Sequence, residues 1–276
     1  MEFVPNELHR LRVGVATTVG SVRPHNEDNF YVPGREAVGG TLSELDASYD
    51  FSIHEADGNL FIVADGMGGQ LAGEKASQMA VEIIPQEVRK RLSASEERVG
   101  SVSHAIRDAV ATANQEILGL SLIQPEFSNM GTTVVLAYFL ERHVYIAGIG
   151  DSRVYRLRDG KLTQLTKDHS LADALLEAGT ITEEELPNHR FKHVLYLYLG
   201  SKDARSGPQD VRDEEIRVGD RYLLSSDGLT GYVGDDQLAR MLQEIDDPRE
   251  AARRLVSTAL DHYSKDNITC MVIHAV

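Results

Sequence analysis

The stretch LFIVADGMGGQLAGE, residues 60–74, constrains the fold more than any other part of the sequence. Its apolar start is typical of a buried strand, yet the strand runs directly into Asp65 and then through three glycines. From Ala72 onward the apolar spacing becomes helical. Because glycine permits sharp turns and close approach of the backbone, the pattern predicts a strand-to-helix junction that presents Asp65.

The rest of the chain alternates blocks of strands with blocks of helices. Strands are predicted at RVGVATTVG, DNFYV, TTVVLAYFL, HVYIAGIG, RVYRLRDG, KLTQLT, EIRV, RYLLSS and NITCMVIHAV. Helices are predicted from Ala72 to Pro85, where the proline is expected to kink or end the helix, from about Val102 to Leu118, over 168–186, and near 235–244 and 248–262.

Two tight turns predict hairpins, and hairpins imply antiparallel sheet. One is Asp57-Gly58 within FSIHEADGNLFIVA, and the other is the RDGK turn; residues 33–50 are interpreted as an irregular loop. The order lacks the strict strand-helix alternation of a parallel fold, and no linker or internal repeat divides the chain. We therefore predict one domain, α+β in class, in which two antiparallel sheets pack face to face with helices outside.

Composition narrows the possible functions. The 276 residues are 42% hydrophobic, which is ample for a core, and the net charge of −15 argues against general nucleic-acid or anionic-membrane binding. The single cysteine, Cys270, permits no internal disulfide and suits a reducing compartment. The N-terminus lacks an apolar signal core, and the longest apolar runs are strand-length. We therefore expect a soluble, cytoplasmic protein.

Acidic residues recur where apolar strands meet loops. They are Asp65 after FIVA, Asp151 after VYIAGIG, Asp227 after YLLSS, Asp266 before NITCMVI, and Glu27 and Asp28 in the NED triplet. Each taken singly is ordinary turn chemistry. If the strands are neighbours, however, the carboxylates converge and repel one another unless cations neutralise them. Oxygen donors without cysteine or clustered histidine favour Mg²⁺ or Mn²⁺.

Arg23 lies five residues before Asp28, in RPHNED. A guanidinium matches phosphate oxygens, whereas carboxylates alone would repel a phosphate. A metal site with one arginine therefore indicates a phosphoester substrate. The alternative is a surface arginine paired with Glu27, Asp28 or another acid.

Six strings together resemble the bacterial branch of the metal-dependent PP2C-type protein serine/threonine phosphatases. They are RPHNEDNF, FIVADGMGGQLAGE, GTTVV, GIGDSRVYRLRDGKLTQLTKDHSL, LLSSDGL and KDNIT, in the family's order from about Val13 to Ile273. The resemblance implies a four-layer α-β-β-α sandwich as a single domain over residues 1–276. It also implies a flap beside the active site, which we define as residues 168–205.

The resemblance further implies two Mn²⁺ or Mg²⁺ ions and a third, weaker metal site. The implied roles are Asp65 bridging both metals, Gly66 giving its carbonyl, Asp227 and Asp266 binding the first metal, Glu27 and Asp28 beside the second as ligand or through water, Asp151 sharing the third site with Asp227, and Arg23 binding phosphate. A hydroxide bridging the metals would attack phosphoserine or phosphothreonine in line, without a phosphoenzyme. Phosphoprotein substrates, an opposing serine/threonine kinase and a monomeric enzyme are implied as well.

The chain departs from the family pattern at two places. Gln70 stands where many relatives have a histidine that could protonate the leaving oxygen, and His25 and His169 are possible substitutes. The flap contains HVLYLYLG where relatives often have NVLTRALG, which introduces Tyr196 and Tyr198. These tyrosines either alter substrate preference or simply pack against a strand.

Two other functions stay open. A degenerate domain would bind phosphoprotein without cleaving it, which predicts lost metal ligands; none is missing, and only Gln70 favours this reading. A hydrolase of small phosphoesters is the other. A P-loop, a dinucleotide fingerprint and an EF-hand loop are all absent from the sequence.

Overall fold

A computed structural model of the chain describes residues 10–34, 44–53, 58–93 and 101–276. The strands are β1 (Arg10–Thr18), β2 (Asp28–Tyr31), β3 (Glu44–Ser52), β4 (Asn59–Met67), β5 (Gly131–Thr132), β6 (Val134–Leu140), β7 (His143–Ile149), β8 (Arg153–Arg158), β9 (Lys161–Gln164), β10 (Arg212–Glu215), β11 (Arg221–Ser225) and β12 (Ile268–Ala275). The helices are α1 (Gln70–Ser93), α2 (Ser101–Ile123), α3 (Leu171–Glu177), α4 (Asp227–Thr230), α5 (Asp235–Glu244) and α6 (Pro248–Asp261).

The strands form two antiparallel sheets. The first has the order β3-β1-β12-β11-β8-β9, and the second has the order β10-β7-β6-β4-β2, with β5 paired to the end of β4. Neighbours that are distant in sequence, such as β1 and β12, pair over their whole lengths, from Leu11↔Ala275 to Thr18↔Ile268. The first sheet therefore depends on contacts between the two ends of the chain.

Three clusters of buried apolar side chains lie between the four layers of helices and sheets. One lies between the sheets, where the rings of Phe61, Phe139 and Tyr222 meet edge to face at centroid distances of 5.7 and 5.2 Å. A second packs α1 and α2 against the outer face of the second sheet, and the third packs α5 and α6 against the first. The arrangement confirms the predicted α-β-β-α sandwich.

The predicted hairpin at Asp57-Gly58 is wrong. β3 pairs with β1 in the first sheet, whereas β4 pairs with β2 and β6 in the second, so the chain crosses between sheets here. Residues 44–50, predicted as loop, belong to β3; residues 35–43 and 54–57, with Asp57, lie outside the described residues. A turn dipeptide marks where the chain reverses but not which sheet the next strand joins.

Two helix predictions also need correction. α1 continues through Pro85 to Ser93, because Ile84 and Val88 remain buried on either side of the proline. The helix predicted over 168–186 is only α3, which begins with Ser170 accepting a hydrogen bond from the Asp173 N–H and ends before Gly179, at φ +68°. The strand predicted at EIRV lies slightly earlier, at β10, and the short α4 was not predicted.

None of the helices in the described parts of the chain has the length and apolar character needed to cross a membrane.

Candidate metal centre

The acids predicted from the sequence come from strand ends of both sheets. Asp65 lies two residues before the end of β4, directly opposite Asp28, the first residue of β2, in the antiparallel register. Asp151 follows β7, and Asp227 begins α4, separated from the end of β11 by one residue. Asp266 precedes β12, the strand beside β11. The fold therefore brings together chain segments that are more than 200 residues apart.

Most of these residues line one cavity of about 840 Å³. The predicted site residues that line it are Arg23, Glu27, Asp65, Gly66, Asp151, Asp227 and Asp266. Asp28 is the exception: it lies beneath the cavity, 6% exposed, where its Oδ2 accepts a 2.7 Å hydrogen bond from the Ser226 hydroxyl. Its Oδ1 is buried with no hydrogen-bond partner in the described structure.

The carboxyl groups of this cluster are energetically costly to ionise when no cation is bound. Burial raises the pKa of Asp65 well above its ordinary value, and repulsion from the surrounding acids adds to the rise. Burial likewise raises the pKa of Asp28 to about 7, against the opposing hydrogen bond from Ser226. The pKa of Asp151 is raised to about 8 by burial and then by repulsion from Asp227. Bound cations stabilise the ionised form of carboxyl groups that are buried and repel one another.

Gly66 is required by packing as well as by the turn. A Cβ at this position would lie 2.2 Å from the Gly73 carbonyl oxygen of α1 and 2.7 Å from the Glu27 carbonyl oxygen. The two following glycines, Gly68 and Gly69, have φ angles of +126° and +84°. The glycines thus let β4 approach α1 closely and turn into it, as the sequence predicted.

Glu27 and Arg23 form one wall of the cavity. Burial is the main cause of the raised pKa of Glu27, and Arg23 opposes the rise. The Arg23 side chain is 50% exposed and donates a 2.7 Å hydrogen bond to Asp266 Oδ2. Asn267 links this wall to β12, since its Oδ1 accepts from the Glu27 N–H at 2.8 Å. Arg23 is therefore both paired with an acid and open to the cavity.

The residues fit divalent cations in donor chemistry and in charge. The donors are carboxylate oxygens, and Asp28 Oδ1 has no hydrogen-bond partner in the described structure. The raised carboxyl pKa values reflect burial first and then repulsion between the acids, which a cation would relieve. Across the described residues, no three histidine, cysteine or acidic side chains stand close enough together to form a finished metal cage. The acids line the walls of a cavity instead of meeting at one point.

The structure adds residues that the sequence analysis did not single out. His193, in the flap, places Nδ1 3.7 Å from Asp227 Oδ2, and this interaction raises the pKa of His193. Thr133, Asn129 and Tyr232 also line the cavity. His193, Asn129 and Tyr232 lie in loops without an acid at a strand end, and the GTTVV string that contains Thr133 assigned no role to that residue.

The two histidines considered as proton donors, His25 and His169, lie in different surroundings. His25 lines the cavity, whereas the His169 ring accepts a 3.1 Å hydrogen bond from the Gly150 N–H and packs edge to face on Tyr196. His169 and Tyr196 therefore pack against each other, while Tyr198 lines the cavity. Gln70 is the first residue of α1, and its side chain lies outside what the structure describes.

Comparison with known proteins decides the family. The family profile described as protein phosphatase 2C matches residues 37–263, more than half of the chain. The chain belongs to the protein phosphatase 2C family. It is 33% identical over 260 residues to the serine/threonine phosphatase stp of Listeria monocytogenes, covering 93% of each protein.

Other members of the protein phosphatase 2C family agree with this assignment. The serine/threonine protein phosphatase PstP of Mycobacterium tuberculosis is 33% identical over 96% of this chain, which spans only 45% of that relative's length. The PstP catalytic domain, solved in complex with two manganese ions, superposes with a TM-score of 0.74 at 32% identity, covering 97% and 99% of the two chains. Stp1 of Staphylococcus aureus gives 0.78 at 30% identity, covering 96% and 94%.

Proposed function

We propose that this chain is a metal-dependent protein phosphatase that hydrolyses phosphoserine and phosphothreonine. The observation that carries the proposal is one cavity lined by Asp65, Asp151, Asp227 and Asp266, with Arg23 at its wall. Family membership supports the reaction class, and the two manganese ions of the related PstP catalytic domain support Mn²⁺ as the cofactor.

In this proposal the acids hold divalent cations. Asp65 and Gly66 would serve both of two metals, Asp227 and Asp266 would bind the first, and Glu27 and Asp28 would support the second. Asp151 would share a third, weaker site with Asp227. Bound Mn²⁺ or Mg²⁺ would supply Lewis acidity and an activated water.

Arg23 binds the phosphate. Its side chain is half exposed at the cavity wall, and a guanidinium offers a planar set of donors to phosphate oxygens. His193 lies at the same cavity with Nδ1 3.7 Å from Asp227 Oδ2, and this interaction raises the pKa of its ring. The Arg23 guanidinium offsets the negative charge of acids and substrate, so that a phosphoryl group can enter an acidic cavity.

We further propose roles for the flap and the identity of the substrates. Residues 168–205 act as a flap, since His193 and Tyr198 from this segment line the cavity. The substrates are phosphoproteins made by an opposing serine/threonine kinase, and the enzyme acts as a cytoplasmic monomer built as one domain.

Phosphate release from a phosphothreonine peptide, a phosphotyrosine peptide and an aryl phosphate, each with and without millimolar Mn²⁺, tests the proposal. We expect Mn²⁺-dependent release with the highest kcat/KM on the phosphothreonine peptide. Turnover restricted to the aryl phosphate would replace the proposal with a small-phosphoester hydrolase. Peptide binding without release would replace it with a phosphoprotein-binding module.

A further inference from the structure

Thr133 belongs to the GTTVV string and has no role in the proposed function. It lies between β5 and β6, is 1% exposed, and contacts the Asp65 backbone twice. Its N–H donates to the Asp65 carbonyl oxygen at 2.8 Å, and its hydroxyl accepts from the Asp65 N–H at 3.1 Å. The Thr133 side chain therefore supplies an acceptor that a strand carbonyl supplies in a regular antiparallel pair.

The same hydroxyl has a second partner on another chain segment. Thr133 Oγ1 lies 2.7 Å from the hydroxyl of Ser152, which is also 1% exposed and directly follows Asp151. A hydroxyl has one donor and two acceptor sites, so Thr133 can accept from the Asp65 N–H and still bond to Ser152. Thr133 Oγ1 is thus hydrogen-bonded both to the backbone of Asp65 and to the side chain of Ser152, the residue after Asp151.

Packing reinforces this connection. Gly150 has φ +102°, and a Cβ at that position would lie 2.6 Å from Thr133 Cβ and Cγ2. The Gly150–Ser152 turn is therefore seated on Thr133 by close contact and by the Ser152 hydrogen bond. A buried hydroxyl pair can serve packing alone, but both partners of this one lead to cavity acids.

We propose that Thr133 is a positioning residue, which fixes the Asp65 carboxylate relative to the Asp151 carboxylate for divalent-cation binding. The inference rests on the proposed function, because it requires that these acids hold cations. Residues that orient metal ligands commonly contribute ten- to a hundredfold to metal affinity, roughly the range expected here.

Mn²⁺ titration by calorimetry of the full chain tests this role. Thr133→Val removes the hydroxyl and keeps the shape, Thr133→Ser keeps the hydroxyl, and Ser152→Ala removes its partner. Thr166→Val is the matched control, because the Thr166 hydroxyl also accepts from a strand N–H, that of Val154 at 3.0 Å. Thermal unfolding of each metal-free variant is measured alongside.

We expect Thr133→Val to weaken Mn²⁺ binding about tenfold, Thr133→Ser to restore it, and Thr166→Val to leave it unchanged. Thr133→Val with Ser152→Ala is expected to cost little more than Thr133→Val alone, since Thr133→Val already removes the hydrogen bond to Ser152. If Thr133→Val does not fold, Ser152→Ala alone is expected to weaken Mn²⁺ binding.

Wild-type Mn²⁺ affinity in folded Thr133→Val or Ser152→Ala would overturn this role and leave the proposed function standing. A lowered unfolding temperature with unchanged Mn²⁺ affinity would likewise overturn it, because that result describes packing alone. An unaltered chain that bound no Mn²⁺ and released no phosphate would overturn the proposed function and this inference together.

Discussion

Arg23 combines two properties at the scale of a single residue. It pairs with Asp266 at 2.7 Å, yet half of its side chain faces solvent at the cavity wall. An exposed ion pair contributes little to stability, usually less than about 1 kcal/mol. We therefore propose that the main role of Arg23 is to bind another group, the substrate phosphate, and not to stabilise the fold.

Arg23→Ala is expected to lower kcat/KM for a phosphothreonine peptide by about ten- to a hundredfold. Hydrogen bonds to charged groups contribute about 1.5–3 kcal/mol, and the variant loses such bonds to the phosphate. Arg12→Ala is the matched control, because Arg12 also forms an exposed pair with an aspartate, Asp247, at 3.2 Å. Steady-state kinetics with equal rates for the Arg23 and Arg12 variants would contradict the phosphate-binding role.

The junction of β4 and α1 shows what an element imposes on its residues. The strand delivers Asp65, but only a residue without a side chain can follow it, because the Gly73 carbonyl oxygen occupies the space of a Cβ. The contact lies between backbone groups, so side-chain movement cannot relieve it.

Gly66→Ala is therefore expected to destabilise the metal-free protein by about 2–3 kcal/mol, measured by chemical denaturation. Gly119→Ala provides the control: Gly119 lies within α2, and among the described residues no atom lies within 4 Å of a Cβ placed at this position. This change is expected to be neutral or to add up to about 1 kcal/mol of helix stability. Equal stability of the two variants would contradict the packing argument.

Local sequence predicted most elements but not all of their partners. The RDGK turn between β8 and β9 was predicted correctly, because both strands stay in one sheet. The Asp57-Gly58 hairpin failed, because strand pairing there is decided by contacts with β1 and β6 that are distant in sequence. α1 continues past Pro85 for a similar reason, because its burial against α2 outweighs the loss of the backbone hydrogen bond that proline cannot donate.

Across the whole molecule, the acid cluster links metal binding to pH. Asp28, Asp65 and Asp151 all have raised pKa values in the fold, chiefly through burial. The folded state therefore holds more protons on these groups than the unfolded state does. Their contribution to stability is present below the unfolded pKa and is lost as pH rises through the folded values, about 7 for Asp28 and about 8 for Asp151.

The rise in unfolding temperature caused by Mn²⁺ is therefore expected to grow from about pH 5 to about pH 8, because cations bind deprotonated carboxylates. Thermal unfolding with and without millimolar Mn²⁺ at several pH values measures this difference. Taking the difference at each pH cancels titrations elsewhere, including that of His274, whose pKa burial lowers to about 4. An Mn²⁺ effect that was constant or smaller at high pH would contradict the account.

The candidate site was predictable only in part. The acids were found as a set, because each marks the end of an apolar strand and their number exceeded what turn chemistry explains. Asp28 and Thr133 show the limit of that reasoning. Whether Asp28 lines the cavity or lies beneath it, and which two acids Thr133 joins, depend on strand register and loop packing.

Mn²⁺-dependent phosphate release from a phosphothreonine peptide tests the central claim most directly, when wild type is compared with Asp65→Asn and Asp213→Asn. Asp213 is an exposed aspartate on β10 that pairs with His143, so its variant controls for loss of a carboxylate alone. We expect release by wild type and Asp213→Asn only with Mn²⁺, and a loss of at least about a hundredfold in Asp65→Asn. Undiminished release by a folded Asp65→Asn variant, or full release after metal removal, would contradict the account.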